Sequence, residues 1–196
     1  AYYLLLAAII EGADRVANTA GIYAAYIKQW QPNATKAFRM RPAHPVSRAG
    51  GSRAYRDDAA AVAKKVGRVD LLYIDPPYNA RQYSGYYHIP EIIATGWFGT
   101  LPVLRGKTGL PVDRPPPSAW CNKAGAARAL GELLAATGAR HVLVSYNTEG
   151  ILPADEFLDI LGRRAVGPVQ RFVLPYKRYK ADLDGERRRY RASGVN

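Results

Sequence analysis

The chain holds 196 residues at 21.5 kDa, room for one ordinary domain and too little for two large ones. Lys and Arg number 28 against 16 Asp and Glu, a formal charge of +12, and 48% of residues are hydrophobic. That composition excludes wholesale disorder, the single Cys121 excludes a disulfide scaffold or multi-thiolate metal site, and no apolar run approaches the roughly 18 residues of a membrane span. The excess of positive charge points to a polyanion. Nucleic acid ranks ahead of an anionic membrane surface, with a basic structural surface as the plain alternative.

The opening Ala1-Tyr2-Tyr3-Leu4-Leu5-Leu6 has no Met, no capping residue and no basic lead or cleavage site of a signal peptide. It reads as an entry in mid-helix, with a numbering that starts inside a longer protein. Residues 1–17 predict a helix, rich in Leu, Ala and Ile and then charged at Glu11, Asp14 and Arg15. Asn18-Thr19-Ala20-Gly21 breaks it, and Ile22 to Trp30 predicts a second helix bearing Tyr23, Tyr26 and Trp30. Pro32 to Gly51 lacks periodicity and reads as loop. Ala54-Tyr55-Arg56 is expected as a short strand, and Asp57-Asp58 stands where an N-cap belongs, ahead of a helix from Ala59 to Val66.

Val69 to Ile74 has the look of a buried parallel strand halted by Asp75-Pro76-Pro77. Tyr87 to Thr95 predicts a helix broken near Pro90, and residues 99–122 a Gly/Pro-rich loop. Lys123 to Thr137 is helical by composition, and His141 to Tyr146 is a second buried-type strand. Pro153-Ala154-Asp155-Glu156 starts a helix, with proline in the first turn and acids facing the dipole. Val169 to Tyr176 predicts a strand, and Arg187 to Arg191 its antiparallel return. Strands alternating with helices make this an α/β layered fold with a mostly parallel sheet.

The stretch that carries chemistry is Asp75-Pro76-Pro77-Tyr78. In open α/β sheets ligands bind outside the carboxyl ends of the strands, where this tetrad falls. Proline has a fixed φ and no N–H, so the turn is a rigid, partly desolvated corner rich in acceptors. Asp75 and the Pro76 carbonyl could each accept one N–H of an exocyclic amine, and Tyr78 could stack on the attached ring. An aryl amine is a poor nucleophile because its lone pair is delocalised. Two acceptors would orient it and return electron density to nitrogen, ready for an in-line methyl on sulfonium. The plain alternative is a strand terminator of an ordinary α/β protein.

Asp75-Pro76-Pro77-Tyr78 resembles the catalytic motif of the S-adenosylmethionine-dependent DNA adenine N6-methyltransferases. The continuation Asn79 to His88 is similar to a subgroup allied to restriction–modification enzymes, as are Ala17 to Tyr23, Arg56 to Ala59, Ser145 to Gly150 and Tyr176 to Lys180. The resemblance implies a Rossmann-like sheet and a cytoplasmic enzyme that methylates adenine N6 in double-stranded DNA. Asp75, Pro76, Pro77 and Tyr78 would be catalytic, and Asp57, Asp58 and Asp75 would face S-adenosylmethionine. Asn18, Tyr23, Arg81, Tyr83, Ser145, Asn147, Lys177, Arg178 and Lys180 would contact the DNA or wall the pocket. Residues 1–53 would be a helical insertion with a target-recognition role, including the basic loop at Arg39, Arg41 and Arg48. Residues 54–196 would be the C-terminal part of the catalytic domain. A cognate restriction endonuclease is an implied partner.

The family's glycine-rich cofactor loop does not occur, because neither Gly50-Gly51 nor Gly106 to Gly109 follows an apolar strand. Its expected place is upstream, with the N-terminal strands of the sheet. A DNA-binding fragment without its own cofactor loop therefore stays open as an alternative, and so does a ribosomal RNA adenine methylase, since those enzymes have similar catalytic tetrads. Lys177-Arg178-Tyr179-Lys180 and Arg187 to Arg191, with tyrosines interleaved, suit phosphate contact and base stacking, or else form a solvated basic hairpin. His44, His88 and His141 are scattered, so no metal site is expected.

Overall fold

Asp58 opens the part of the chain that carries the tetrad. In this computed structural model, which describes residues 1–25, 27–42, 51–96 and 101–174, its Oδ1 accepts the N–H groups of Ala60 and Ala61 at 2.9 and 3.2 Å. Helix α2 (Ala59–Val66) grows from that cap and ends at Gly67, whose φ of 74° only glycine takes without strain. The chain then turns into strand β1 (Leu71–Ile74). The same pattern repeats later. Asn122 caps α5 (Lys123–Ala136) through Gly125 N–H, and α5 is followed by β4 (His141–Val144).

The strands β1 and β4 pair in parallel, Leu71 opposite His141 through Ile74 opposite Val144. The two helices end together, since a Cβ on Gly138 would lie 3.1 Å from the Gly67 carbonyl oxygen. Both helices thus run down toward one end of the layer and both strands run back up. The N-termini of α2 and α5 and the carboxyl ends of β1 and β4 consequently share the other end. Helix α6 (Ala154–Gly162) begins after β4 with Asp155 and Glu156 in its first turn. Ile74, Leu130, Leu133, Leu134, Leu152 and Phe157 form the buried core, against which Leu72, Val144 and Tyr146 pack.

This unit covers residues 55–80 and 119–196; a second compact unit is formed by residues 1–54 and 81–118. The sequence reading draws one boundary, after residue 53, whereas the chain also crosses between units after residues 80 and 118. In the second unit α1 (Tyr2–Arg15) packs on α4 (His88–Ala94), which follows the short α3 (Tyr83–Tyr86). Strands β2 (Leu104–Arg105) and β3 (Leu110–Pro111) form a small antiparallel hairpin.

Several expectations need correction. No helix spans residues 22–30: the described residues there are turns and bends. Ala54 to Arg56 and Val169 to Leu174 are irregular rather than strands, with no partner strand among the described residues. Residues 99–122 are not all loop, since they hold β2, β3 and a 3₁₀ turn at Ala119–Cys121 that buries Cys121. Pro90 does not break α4. It lies in the first turn, where its missing N–H has no intrahelical acceptor to lose, and the interruption falls at Tyr87. The two parallel strands are buried on one face only. Leu71, Tyr73 and Leu143 on the other face stay more than half exposed.

Candidate active site

Where β1 ends, Ile74 is buried and hands its carbonyl to Ser145 N–H at 3.0 Å, the last rung between the two strands. Asp75 follows at an exposed position, Pro76 is buried, and Pro77 and Tyr78 are half-buried. The corner is more open at its carboxylate than the sequence reading expects, because only one face of the strand pair is covered. The prolines hold the turn and the carboxylate points from a fixed base.

The segment after β4 closes one side of that corner. Tyr78 accepts a hydrogen bond on its carbonyl from Ile151 N–H at 3.1 Å, tying the end of the tetrad to the loop from Ser145 to Leu152. Within the loop, Asn147 Oδ1 accepts Glu149 N–H at 2.7 Å and the Asn147 carbonyl accepts Gly150 N–H at 3.0 Å. Tyr146 stacks on Phe157 with centroids 4.5 Å apart, and its hydroxyl accepts Leu152 N–H at 3.1 Å. A Cβ on Gly150 would collide with the Tyr146 ring, so the loop needs glycine there. Sequence reading selects Ser145 and Asn147 in this loop. It misses Gly150 as a packing requirement, which only the ring position reveals.

Asp57 and Asp58 stand at the same end of the layer as Asp75, by the direction of α2 and β1. Asp57 Oδ1 accepts Asp58 N–H at 2.8 Å, and both capping bonds of Asp58 fall on Oδ1. The capping reading is therefore realised. It leaves the second carboxylate oxygen of Asp58 outside the cap, and a carboxylate at the carboxyl ends of parallel strands stands where such folds hold nucleosides.

A family model for D12 class N6 adenine-specific DNA methyltransferases matches residues 1–149. The chain belongs to that family. It is 36% identical over 178 residues to the type II methyltransferase M.FokI of Planomicrobium okeanokoites, covering 90% of this chain and 27% of that protein. Against the type II methyltransferase M.NlaIII of Neisseria lactamica it is 35% identical over 195 residues, 99% of this chain and 55% of the relative. The type II methyltransferase M.CviAII of Paramecium bursaria Chlorella virus 1 is 31% identical over 182 residues, 93% and 52% of the two chains. The chain thus spans between about a quarter and just over half the length of these relatives. No solved structure matches it. The fold seen here, helices with a small parallel sheet, agrees with a methyltransferase.

Asn18, Tyr23, Arg81 and Tyr83, also selected in this D12-class chain, lie in the unit of residues 1–54 and 81–118. Arg81 sits over the Tyr86 ring, 5.6 Å from its centroid, and exposed Tyr83 meets Tyr87 edge to face at 5.6 Å. Asn18 is occupied at both ends of its amide. Its Nδ2 donates to the Gln29 carbonyl at 3.3 Å and its Oδ1 accepts Gln31 N–H at 2.9 Å. The Tyr23 hydroxyl donates to Asp14 Oδ1 at 3.1 Å, and burial together with the Asp14 charge pushes its pKa up to about 12. His88 is 2% exposed, with Nδ1 on the Gly85 carbonyl at 3.0 Å, so it belongs to the packing of α3 and α4. Tyr26, His44, Arg48, Tyr176, Lys177, Arg178, Tyr179, Lys180 and Arg187 to Arg191 lie outside the described residues.

Proposed function

We propose that the protein containing this chain transfers a methyl group from S-adenosylmethionine to the N6 amine of adenine in double-stranded DNA, with the base flipped out of the helix. The observation that carries this reading is the Asp75-Pro76-Pro77-Tyr78 corner at the carboxyl end of β1, braced by the Ser145–Leu152 loop after its parallel neighbour. A base inside a duplex cannot reach such a corner, so the adenine must turn out of the stack.

Asp75 and the Pro76 carbonyl accept the two N–H bonds of the amine, and Tyr78 stacks on the ring. Held this way, the nitrogen lone pair is drawn out of the ring and aimed along one line. When bound, S-adenosylmethionine supplies a methyl group on a positively charged sulfur. Asp75 accepts the proton that nitrogen sheds as its new N–C bond forms, which is why no strong base is required beforehand. Asp58 fits the cofactor: its oxygen outside the helix cap would accept from the hydroxyls of the adenosyl ribose, with Asp57 beside it. Ser145 and Asn147 wall the pocket.

Around this centre the reading extends to the rest of the protein. The sheet is the C-terminal part of a Rossmann-like sheet whose other strands and glycine-rich loop belong to the whole enzyme. Residues 1–53 take part in target recognition, with Asn18 and Tyr23 shaping the surface offered to DNA. Arg81, Tyr83 and the segment of Lys177, Arg178 and Lys180 meet the backbone. The enzyme works in the cytoplasm, alongside a cognate restriction endonuclease. Incubating the full-length protein with tritiated S-adenosylmethionine and either duplex DNA or ribosomal RNA tests the proposal. Label in N6-methyladenine of DNA is expected, and label in ribosomal RNA alone would overturn it.

A further inference from the structure

Outside the tetrad, one cleft combines rigidity, positive charge and an exposed aromatic face. It lies within the unit of residues 1–54 and 81–118, measures about 350 Å³, and is lined by Asn18, Tyr23, Lys28, Trp30, Lys107 and Thr108 among others. That volume falls inside the range of about 300–1,000 Å³ that ligand sites occupy.

The described residues of the wall from residue 17 to residue 33 have no regular secondary structure, yet the wall is pinned at several points. The Asn18 side chain bonds the backbone at Gln29 and Gln31, on either side of Trp30. Asn33 Nδ2 donates to the Ala17 carbonyl at 2.9 Å, satisfying a group just beyond the end of α1. Tyr23 is fixed by its hydroxyl on Asp14 and by its N–H on the Tyr86 carbonyl at 2.8 Å. Trp30 nevertheless leaves 75% of its surface in water. The backbone on either side of the indole is therefore held in place while the ring stays in water, which lowers the ordering cost of a stacking ligand.

The other wall is the tip of the β2–β3 hairpin. Gly106 and Gly109, with φ of 72° and 62°, make the tight turn, and Lys107 and Thr108 stand between them. The cleft therefore receives one ammonium from each wall, Lys28 and Lys107, both exposed. The unit around it is basic as a whole, with eleven Lys and Arg against four Asp and Glu. An aromatic face, two cations and neutral hydroxyl and amide groups suit a nucleotide, whose base offers a π-face and whose phosphate offers the charge.

We propose that this cleft binds a nucleotide of the substrate DNA other than the flipped adenine, with Trp30 on the base and Lys28 and Lys107 on the phosphate. The inference rests on the DNA methyltransferase reading and adds a specificity-determining subsite to it.

The test uses the full-length protein and a labelled DNA duplex, with affinity measured across a salt series and methylated sites mapped by sequencing. Each phosphate contact contributes about 0.9 to the slope of log affinity against log salt, so Lys28→Ala with Lys107→Ala should lower it by about two. Trp30→Ala should weaken binding about tenfold or more and loosen the choice of methylated sequence, with Trp30→Phe recovering most of both. All three side chains are exposed, so thermal unfolding within a few degrees of wild type is expected. If wild type methylates DNA and the variants keep its slope, affinity and site choice, the cleft proposal falls while the function stands. If wild type itself neither binds nor methylates DNA, the functional reading fails and the subsite with it.

Discussion

Asp75 is exposed on a buried footing, since Ile74 before it and Pro76 after it are both in the interior. Its replacement should therefore change chemistry more than folding. Asp75→Ala is expected to abolish methyl transfer, a loss of at least about 10²-fold, while DNA affinity in a gel-shift titration stays within a few-fold of wild type. Equal loss of both by a folded variant would remove Asp75 from its assigned role. Gly150 is the opposite case, since nothing reactive is there but the Tyr146 ring fills the space of a Cβ. Gly150→Ala should cost about 1–3 kcal/mol in urea unfolding, because the stacked Tyr146–Phe157 pair must shift. Tyr23 offers a pH signature. Its folded pKa is raised to about 12 from 10, so the folded state keeps a proton that the unfolded state has already lost. That contribution to stability is complete below about pH 10 and is lost as pH rises toward about 12. The urea midpoint should fall across that window, and Tyr23→Phe should flatten the fall.

Helix α2 has a start that can be read directly and a function that cannot. Asp58 both caps it and stands at the end of the layer where Asp75 emerges. Asp58→Ala should destabilise by about 1 kcal/mol, whereas Asp58→Ser keeps a capping oxygen and should stay within a few tenths of wild type. If the carboxylate also meets S-adenosylmethionine, both variants should weaken its binding by about tenfold in calorimetry. Recovery of affinity by serine would leave Asp58 as a cap only. The same contrast explains what was legible. The stretches that gave α2, β1, α5, β4 and α6 carry local signals: caps, apolar runs with sharp ends, acids in a first turn. Ile22 to Trp30 carries a helix-like spacing of apolar residues, but a segment that short needs packing to stay helical, and its backbone is claimed by Asn18. The β2–β3 hairpin has two residues per strand, too few for any alternation to show. Val169 to Leu174 has strand composition and no partner strand among the described residues, and Phe172 and Leu174 remain exposed. The tetrad was readable because its parts are contiguous. The Trp30–Lys107 cleft was not, because its walls are far apart in sequence.

The formal charge of +12 is distributed unevenly over the molecule. The unit of residues 1–54 and 81–118 has eleven basic and four acidic residues, while residues 55–80 and 119–174, which hold the tetrad, have ten and nine. The end of the chain, residues 175–196, adds seven and three. Around the tetrad, in residues 55–80 and 119–174, the two signs thus nearly cancel, and the excess lies in residues 1–54 and 81–118 and in residues 175–196. If DNA affinity arises from phosphate neutralisation, its salt dependence should reside in those stretches and not in residues 55–80 and 119–174. Replacing Lys36, Arg39 and Arg41 together by Ala should flatten the slope of log affinity against log salt by up to about 2.7. Replacing Arg128, Arg140 and Arg171, three exposed residues of the tetrad's unit, removes the same formal charge and should leave the slope near wild type. A shift of equal size in both triples would mean that net charge alone attracts the polyanion. The division of labour between these stretches of the chain would then be wrong.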